Sequence, residues 1–356
     1  MKVITIIGAR PQFIKAATVS RAFKKYYPET QEIIVHTGQH FDENMSDVFF
    51  LELSIPTPDY KLGIGGGTHG QNTGRMIEHI EEVLINEKPD WVLVYGDTDS
   101  TLAGALAASK LHIKIAHVES GLRSFNKRMP EEINRILTDQ VSSILFTPSK
   151  LATDNLTYEG VSSEIIHQVG DVMFDASIFY NKISDQESNI LEQLDIIDAE
   201  YMLLTIHRRE NTTSKVKLEN IMHGLEESDR NIIWPLHPGT KHQLEKFNIA
   251  IPKNIKIIDP VGYLDMISLQ KNSQLVITDS GGVQKEAYFY QVPCVILRDE
   301  TEWVELIENG YSVLSGSDSK RIKEAINNMV LSEIDGRHLY GQGDAAEKIV
   351  KVLSSF

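Results

Sequence analysis

Short apolar runs rich in valine and isoleucine alternate along the chain with longer stretches whose apolar residues recur at helical spacing. Runs at 3–7, 32–36, 91–95, 115–118 and 144–147 predict strands, and stretches at 13–26, 71–87, 101–111 and 131–141 predict helices between them. The strand segments lack strict alternation and each leads into a helix, which predicts a parallel sheet covered on both faces. The pattern then restarts. Strands are expected at 201–205, 231–235, 255–258, 275–278 and 294–297, with helices at 213–226, 240–247, 263–270, 282–288 and 320–330. The fold class is therefore α/β, built from two Rossmann-like domains facing a cleft. The first domain is expected over 1–170 and the second over 171–344, joined through the polar helical stretch 170–184, while a last helix within 345–356 could pack back on the first. The glycine-dense segment 63–70 predicts a mobile loop.

Length agrees with this division, since 356 residues is about two domains' worth. Apolar residues make up 41% and charged residues 24%, an ordinary globular balance. Acids outnumber bases by 50 to 35, a net charge of −15, which argues against a nucleic-acid or anionic-membrane binder. The lone Cys294 excludes an intrachain disulfide and a cysteine-based structural zinc site. No apolar run approaches the roughly 18 residues of a membrane helix, and 3–7 is too short for a signal-peptide core. A cytoplasmic protein is expected.

In open α/β sheets, ligands sit beyond the carboxyl ends of the strands, so polar residues just after predicted strands carry the chemistry. Gly8-Ala9-Arg10-Pro11-Gln12 follows the first strand, and Arg10 and Lys15 would flank a helix N-terminus that suits an anion. The plainer alternative is two surface cations. The stretch is not a GxGxxG fingerprint, so no dinucleotide cofactor is indicated. Asp279-Ser280-Gly281-Gly282 could cradle a diphosphate with backbone amides, and Glu286 one turn on could accept from ribose hydroxyls. After 91–95 come Asp97 and Asp99; Asp99 or Ser100 suits an N-cap, which leaves Asp97 unexplained. Two aspartates at this spacing could hold Mg²⁺, but too few oxygen ligands lie nearby, and no metal is expected. Glu119 falls on the same rim. Glu131 and Arg135, four apart on one helix, can pair there, although acids at a helix start also suit its dipole. Three carboxylates on one rim push their pKa values apart and can give an acid beside a base. His207 and His237 exit two strands of the second half, where a phosphate or leaving group could be held.

Together, Gly8–Gln12, Thr37–His40, Gly96–Thr98, His117–Glu119, Gly121–Arg123, Pro130–Arg135, His207–Asn211 and Asp279–Gln284 resemble the motifs of the non-hydrolysing UDP-N-acetylglucosamine 2-epimerases over nearly the whole chain. The resemblance implies the glycosyltransferase-B-type fold, a UDP-sugar substrate, no cofactor and a homodimer. It implies removal of the C2 proton with anti elimination of UDP, a bound 2-acetamidoglucal, and re-addition of UDP as C2 is reprotonated on the other face. Asp97, Glu119 and Glu131 are then the acid and base candidates, with Arg135 and Lys15 orienting them. Arg10, His207 and the amides of 280–282 face the diphosphate, His237 lies beside them, and Glu286 holds the ribose. Substrate-activated members carry Gln-His-x-x-Gln at a regulatory site. Gln39, His40 and Arg75 match, but Asp42 replaces the last glutamine. The stretch 123–130, with Lys127 and Arg128, looks like the branch acting on UDP-2,3-diacetamido-2,3-dideoxyglucuronate, where those cations could meet a sugar carboxylate; a solvated basic loop is the alternative. A same-fold glycosyltransferase, a hydrolysing epimerase and a non-catalytic UDP-sugar sensor are the competing readings.

Overall fold

The computed structural model describes residues 1–38, 56–196, 200–329 and 339–356, apart from the side chain of Arg10. The chain divides into two compact units, Met1–Ala176 with His338–Phe356, and Ser177–Arg337.

The first unit runs β1 (Lys2–Ile7), α1 (Arg10–Tyr26), β2 (Gln31–His36), β3 (Tyr60–Lys61), α2 (His69–Glu87), β4 (Trp91–Tyr95), α3 (Asp99–Lys110), β5 (Lys114–Val118), α4 (Pro130–Val141), β6 (Ile144–Thr147), α5 (Lys150–Tyr158) and β7 (Ile166–Gln168). The next helix, α6 (Val172–Glu187), contains the division between the units. The seven strands are parallel in the order β3-β2-β1-β4-β5-β6-β7. Every residue of β4 is buried, as expected of a strand covered on both faces. Helix α3 is almost wholly buried between α2 and α4. Its run of alanines lets it lie close, and a Cβ added at Gly104 would stand 3.1 Å from Ile6 and Val94.

The second unit runs α7 (Ile190–Gln193), β8 (Met202–Thr205), α8 (Arg209–Thr212), α9 (Lys215–Glu226), β9 (Ile232–Pro235), α10 (Pro238–Phe247), β10 (Ile255–Ile258), α11 (Tyr263–Lys271), β11 (Leu275–Thr278), α12 (Gly281–Phe289), β12 (Cys294–Ile296), α13 (Val304–Glu308), β13 (Ser312–Leu314) and α14 (Ser319–Asn328). Its sheet, again parallel, has the order β10-β9-β8-β11-β12-β13. Successive strand residues feed opposite cores. Leu204, Trp234 and Ile277 pack with α9 and α14 on one face, while Leu203, Ile233 and Val276 pack with Leu269 and Cys294 on the other.

Finally α15 (Ala345–Leu353) returns to the first unit and packs on α1. Asp175 caps it by accepting from the amides of Ala345 and Ala346 at 3.1 and 2.8 Å. The glycine-dense loop is tied down at Ile64, which is buried and donates to the Thr37 carbonyl at 2.7 Å. Helix α2 begins at His69, two residues before its expected start, because Thr68 and Gln71 form a capping box. The cap of α3 is Thr98, not Asp99 or Ser100: Thr98 and Thr101 exchange bonds, and both later residues lie inside the first turn.

Candidate functional site

In each sheet the strand order reverses at one point, between β1 and β4 in the first unit and between β8 and β11 in the second. Turns beyond the carboxyl ends of these strands are where an α/β sheet receives a ligand.

In the first unit, Gln12 stitches the β1 turn to β4. Its Oε1 accepts from the amides of Gly8 and Ala9 at 2.8 and 3.0 Å, and its Nε2 donates to the Tyr95 carbonyl at 2.8 Å. Gly8 leaves room for the Thr37–Ser100 hydroxyl bond, because a Cβ there would lie 2.1 Å from both oxygens. Pro11 sits in the first turn of α1 as its fixed φ requires. Lys15, buried on the same helix, ion-pairs with the buried Glu119.

Asp97 follows Gly96, whose φ of 63° needs glycine at the turn. Arg135 grips Asp97 from below, its Nε and Nη2 donating to Oδ2 at 2.9 and 2.7 Å. Asn134 donates to the Asp97 carbonyl at 2.9 Å and to Asp99, and Asp99 also contacts His69 at 2.7 Å. Glu119 stands at a φ of 69°, a left-handed conformation unusual for a residue with a side chain. Strain of this kind concentrates at functional sites. Lys15, Asp97, Glu119 and Arg135 are thus gathered on the rim of β1, β4 and β5.

Glu131 is half-exposed at the start of α4. The expected pairing of Glu131 with Arg135 is replaced, because Arg135 Nη1 reaches Glu132, three residues back, at 2.7 Å. The half-buried Asp97, 38 residues away, competes for the rest of the guanidinium.

Behind this rim lies a buried network that sequence reasoning missed. His117 bonds Asp139 through Nδ1 at 2.7 Å and the Gly96 carbonyl through Nε2 at 2.8 Å. Asp139 also accepts from the Gly121 amide at 3.1 Å and pairs with Arg123 at 2.8 Å. Burial opposes the charge on Asp139, yet the bonds and charges of His117 and Arg123 hold it below the ordinary carboxylate value. One carboxylate therefore braces both turns that present Asp97 and Glu119. No pattern local to Asp139 announces this, since its partners lie in the preceding strand β5 and the turn after it, off its own helix.

In the second unit, the fully buried Asp279 draws the β8 turn toward β11. It accepts from the amides of His207 and Arg208 at about 3 Å and from Asn211 at 3.1 Å. His207 Nδ1 stands 3.5 Å from Asp279. Desolvation, helped by Arg208 and His237, lowers His207 below its ordinary value against the pull of Asp279. His237 is exposed and caps α10, its Nδ1 accepting from the Gly239 amide at 3.1 Å. Three amides were expected to form the diphosphate cradle at 280–282; the Ser280 amide instead donates to Thr278 Oγ1 at 2.9 Å. The amides of Gly281 and Gly282 open α12 and need partners outside the helix. Space beside Gly282 is open, whereas a Cβ on Gly281 would meet Glu302 at 2.3 Å. Glu286 is buried and accepts from Tyr263 at 3.3 Å.

Gln39 and His40 lie outside the described residues, as does the side chain of Arg10. Arg75 is exposed on α2, and Lys127 and Arg128 are exposed before α4. Among the described residues no three His, Cys, Asp or Glu side chains gather as metal ligands, and no helix is long and apolar enough to cross a membrane.

Residues 24–354 match the sequence profile of a family described as UDP-N-acetylglucosamine 2-epimerase. A UDP-2,3-diacetamido-2,3-dideoxy-D-glucuronate 2-epimerase of Pseudomonas aeruginosa is 53% identical over 360 residues, covering 99% of each chain. A UDP-N-acetylglucosamine 2-epimerase of Methanocaldococcus jannaschii is 46% identical over 364 residues, again 99% of each. A crystal structure of the UDP-GlcNAc 2-epimerase from that organism, in complex with UDP-GlcNAc and UDP, matches with a TM-score of 0.91 at 45% identity over the full length of both chains.

Proposed function

This chain belongs to the UDP-N-acetylglucosamine 2-epimerase family and is a non-hydrolysing 2-epimerase of glycosyltransferase-B-type fold, and from that premise we propose that it interconverts UDP-GlcNAc and UDP-ManNAc. The observation that carries this reading is the pair of turns after β4 and β5. There Asp97 is gripped by Arg135, and Glu119 is held in a strained backbone beside Lys15.

The chemistry follows from what each unit offers. The C2 proton of the sugar is only weakly acidic, so its removal needs a fixed carboxylate and a stabilised leaving group. Asp97, Glu119 and Glu131 are the acid and base candidates, and Lys15 and Arg135 fix two of them. The amides of Gly281 and Gly282 with His207 are assigned to the departing diphosphate, and the family resemblance adds Arg10 as a diphosphate ligand. Glu286 is assigned to the ribose. UDP leaves from C1 as the C2–H bond breaks, and the double bond forms between C1 and C2. UDP then returns to C1 as C2 gains a proton on the opposite face. A homodimer accompanies this reading on the strength of the family resemblance, and a cytoplasmic location is proposed with it.

A second reading takes UDP-2,3-diacetamido-2,3-dideoxyglucuronate as substrate. It is supported by the 53% identity with the P. aeruginosa enzyme of that name and by the exposed cations Lys127 and Arg128, which suit a sugar carboxylate.

Proton NMR in D₂O with each UDP-sugar separately tests both. Deuterium at C2 with growth of the manno epimer from UDP-GlcNAc is the expected result. Exchange confined to the diacetamido uronate moves the enzyme to that branch, and exchange with neither overturns the epimerase chemistry. Asp97→Asn is expected to abolish exchange while UDP affinity, measured by calorimetry, stays within about twofold; near-normal turnover removes Asp97 from the mechanism.

A further inference from the structure

We propose that Glu132 is a positioning residue for proton transfer at C2, aiming Arg135 at Asp97 and tying the backbone at 124–125 to the same guanidinium. The proposal rests on the epimerase reading above and adds a residue to it.

The geometry is a relay of directed bonds. Glu132 is 1% exposed, unusual for a glutamate in the first turn of a helix, where an exposed carboxylate would serve the dipole equally well. Its Oε2 accepts from the Ser124 amide at 2.9 Å, from Ser124 Oγ at 3.1 Å and from Arg135 Nη1 at 2.7 Å. Its Oε1 accepts from the Phe125 amide at 2.9 Å. Every partner is a donor, so the site fits a carboxylate and not its amide isostere. These bonds hold Glu132 below the ordinary carboxylate value despite its burial. The remaining edge of Arg135 faces Asp97, and both of its bonds land on Oδ2. A planar guanidinium held by carboxylates on two edges cannot turn without breaking both contacts. Asp97 is thereby fixed through Oδ2, and its Oδ1 takes neither Arg135 bond.

The other end of the relay is unusual as well. Phe125, bonded directly to Glu132, has a φ of 57° and is 76% exposed. A strained aromatic residue held outward by a buried carboxylate indicates a fixed loop, and that loop carries Lys127 and Arg128. Glu132 therefore links the segment proposed to meet the sugar substituent with a carboxylate proposed to handle the C2 proton.

Glu132→Gln is the test, with C2 deuterium uptake and UDP affinity measured on the same protein. Losing the charge-assisted bond to Arg135 is expected to lower kcat for exchange at least about tenfold, with UDP affinity unchanged. Arg135→Lys alone and combined with Glu132→Gln then separates positioning from general damage. If Glu132 acts through Arg135, the double variant loses no more than the worse single variant, whereas independent effects multiply. Multiplying losses, or a folded Glu132→Gln enzyme with native kcat, overturns the proposal. Should Glu132→Gln fail to bind UDP, Ser124→Ala removes one bond to Oε2 and is expected to cost about two- to threefold in kcat; a folded Ser124→Ala enzyme at native kcat also overturns it. A wild-type enzyme that exchanges neither UDP-sugar defeats the epimerase reading, and this inference with it. Wild-type exchange beside an unimpaired Glu132→Gln variant removes Glu132 alone.

Discussion

Lys15 and Glu119 form a buried ion pair on a strained backbone, and buried pairs respond asymmetrically to mutation. Replacing Lys15 with methionine keeps the volume and strands the carboxylate, so Lys15→Met is expected to lower the urea-unfolding free energy by about 3 kcal/mol. Adding Glu119→Gln should recover part of that loss, because the uncompensated charge is gone; a double variant less stable than Lys15→Met contradicts a net pairing role. At this scale the sequence revealed residue types but not partners. Asp97, Glu119 and Arg135 stood out because each lies beyond a predicted strand or on a facing helix. The partners of Arg135 did not, because helical spacing favoured Glu131 over Glu132 and offered no view of a carboxylate 38 residues away. Asp139 was invisible for the same reason: a buried acid serving His117, Gly121 and Arg123 leaves no periodic trace.

Among the elements, the long strands and helices were legible because their apolar residues run for four or more positions. β3, β7 and β13 were not, since two or three residues cannot establish a period. The short helices α8 and α13 escaped likewise; α8 owes its place to Asn211, which bonds Asp279 and the Leu297 carbonyl. Asp279→Ala should therefore unseat α8 and the His207 turn together. The expected outcome is a loss of about 2–4 kcal/mol in stability and a rise in the UDP dissociation constant. Unchanged UDP affinity in a folded variant detaches that turn from the nucleotide. Helix α3 offers a second test at this scale. With Ile6 and Val94 already 3.1 Å from an added Cβ, Gly104→Val should cost about 2 kcal/mol by overpacking, read from denaturant melts.

For the molecule as a whole, two desolvated groups set its response to solvent. Burial raises Asp175 to about 6, against the two amide bonds it accepts at the start of α15. The unfolded chain titrates that group near its ordinary value, so its contribution to stability is full below about pH 4 and lost as pH rises through about 6. Asp175→Asn should flatten the stability profile across that window, and a wild-type profile already flat there contradicts the assignment. Burial pushes the Cys294 thiol up to about 12, so the native protein should leave a thiol reagent unconsumed until denaturant exposes one equivalent. The return of α15 has a further consequence, for the protein's birth on the ribosome. Strands of the first unit emerge early, but the helix that packs on α1 and the ring of Phe356 that meets Trp91 are made only after the whole second unit. The second unit can close before residues 345–356 are made, whereas the first waits for them. A stop codon placed before residue 345 would thus injure the half of the enzyme synthesised first.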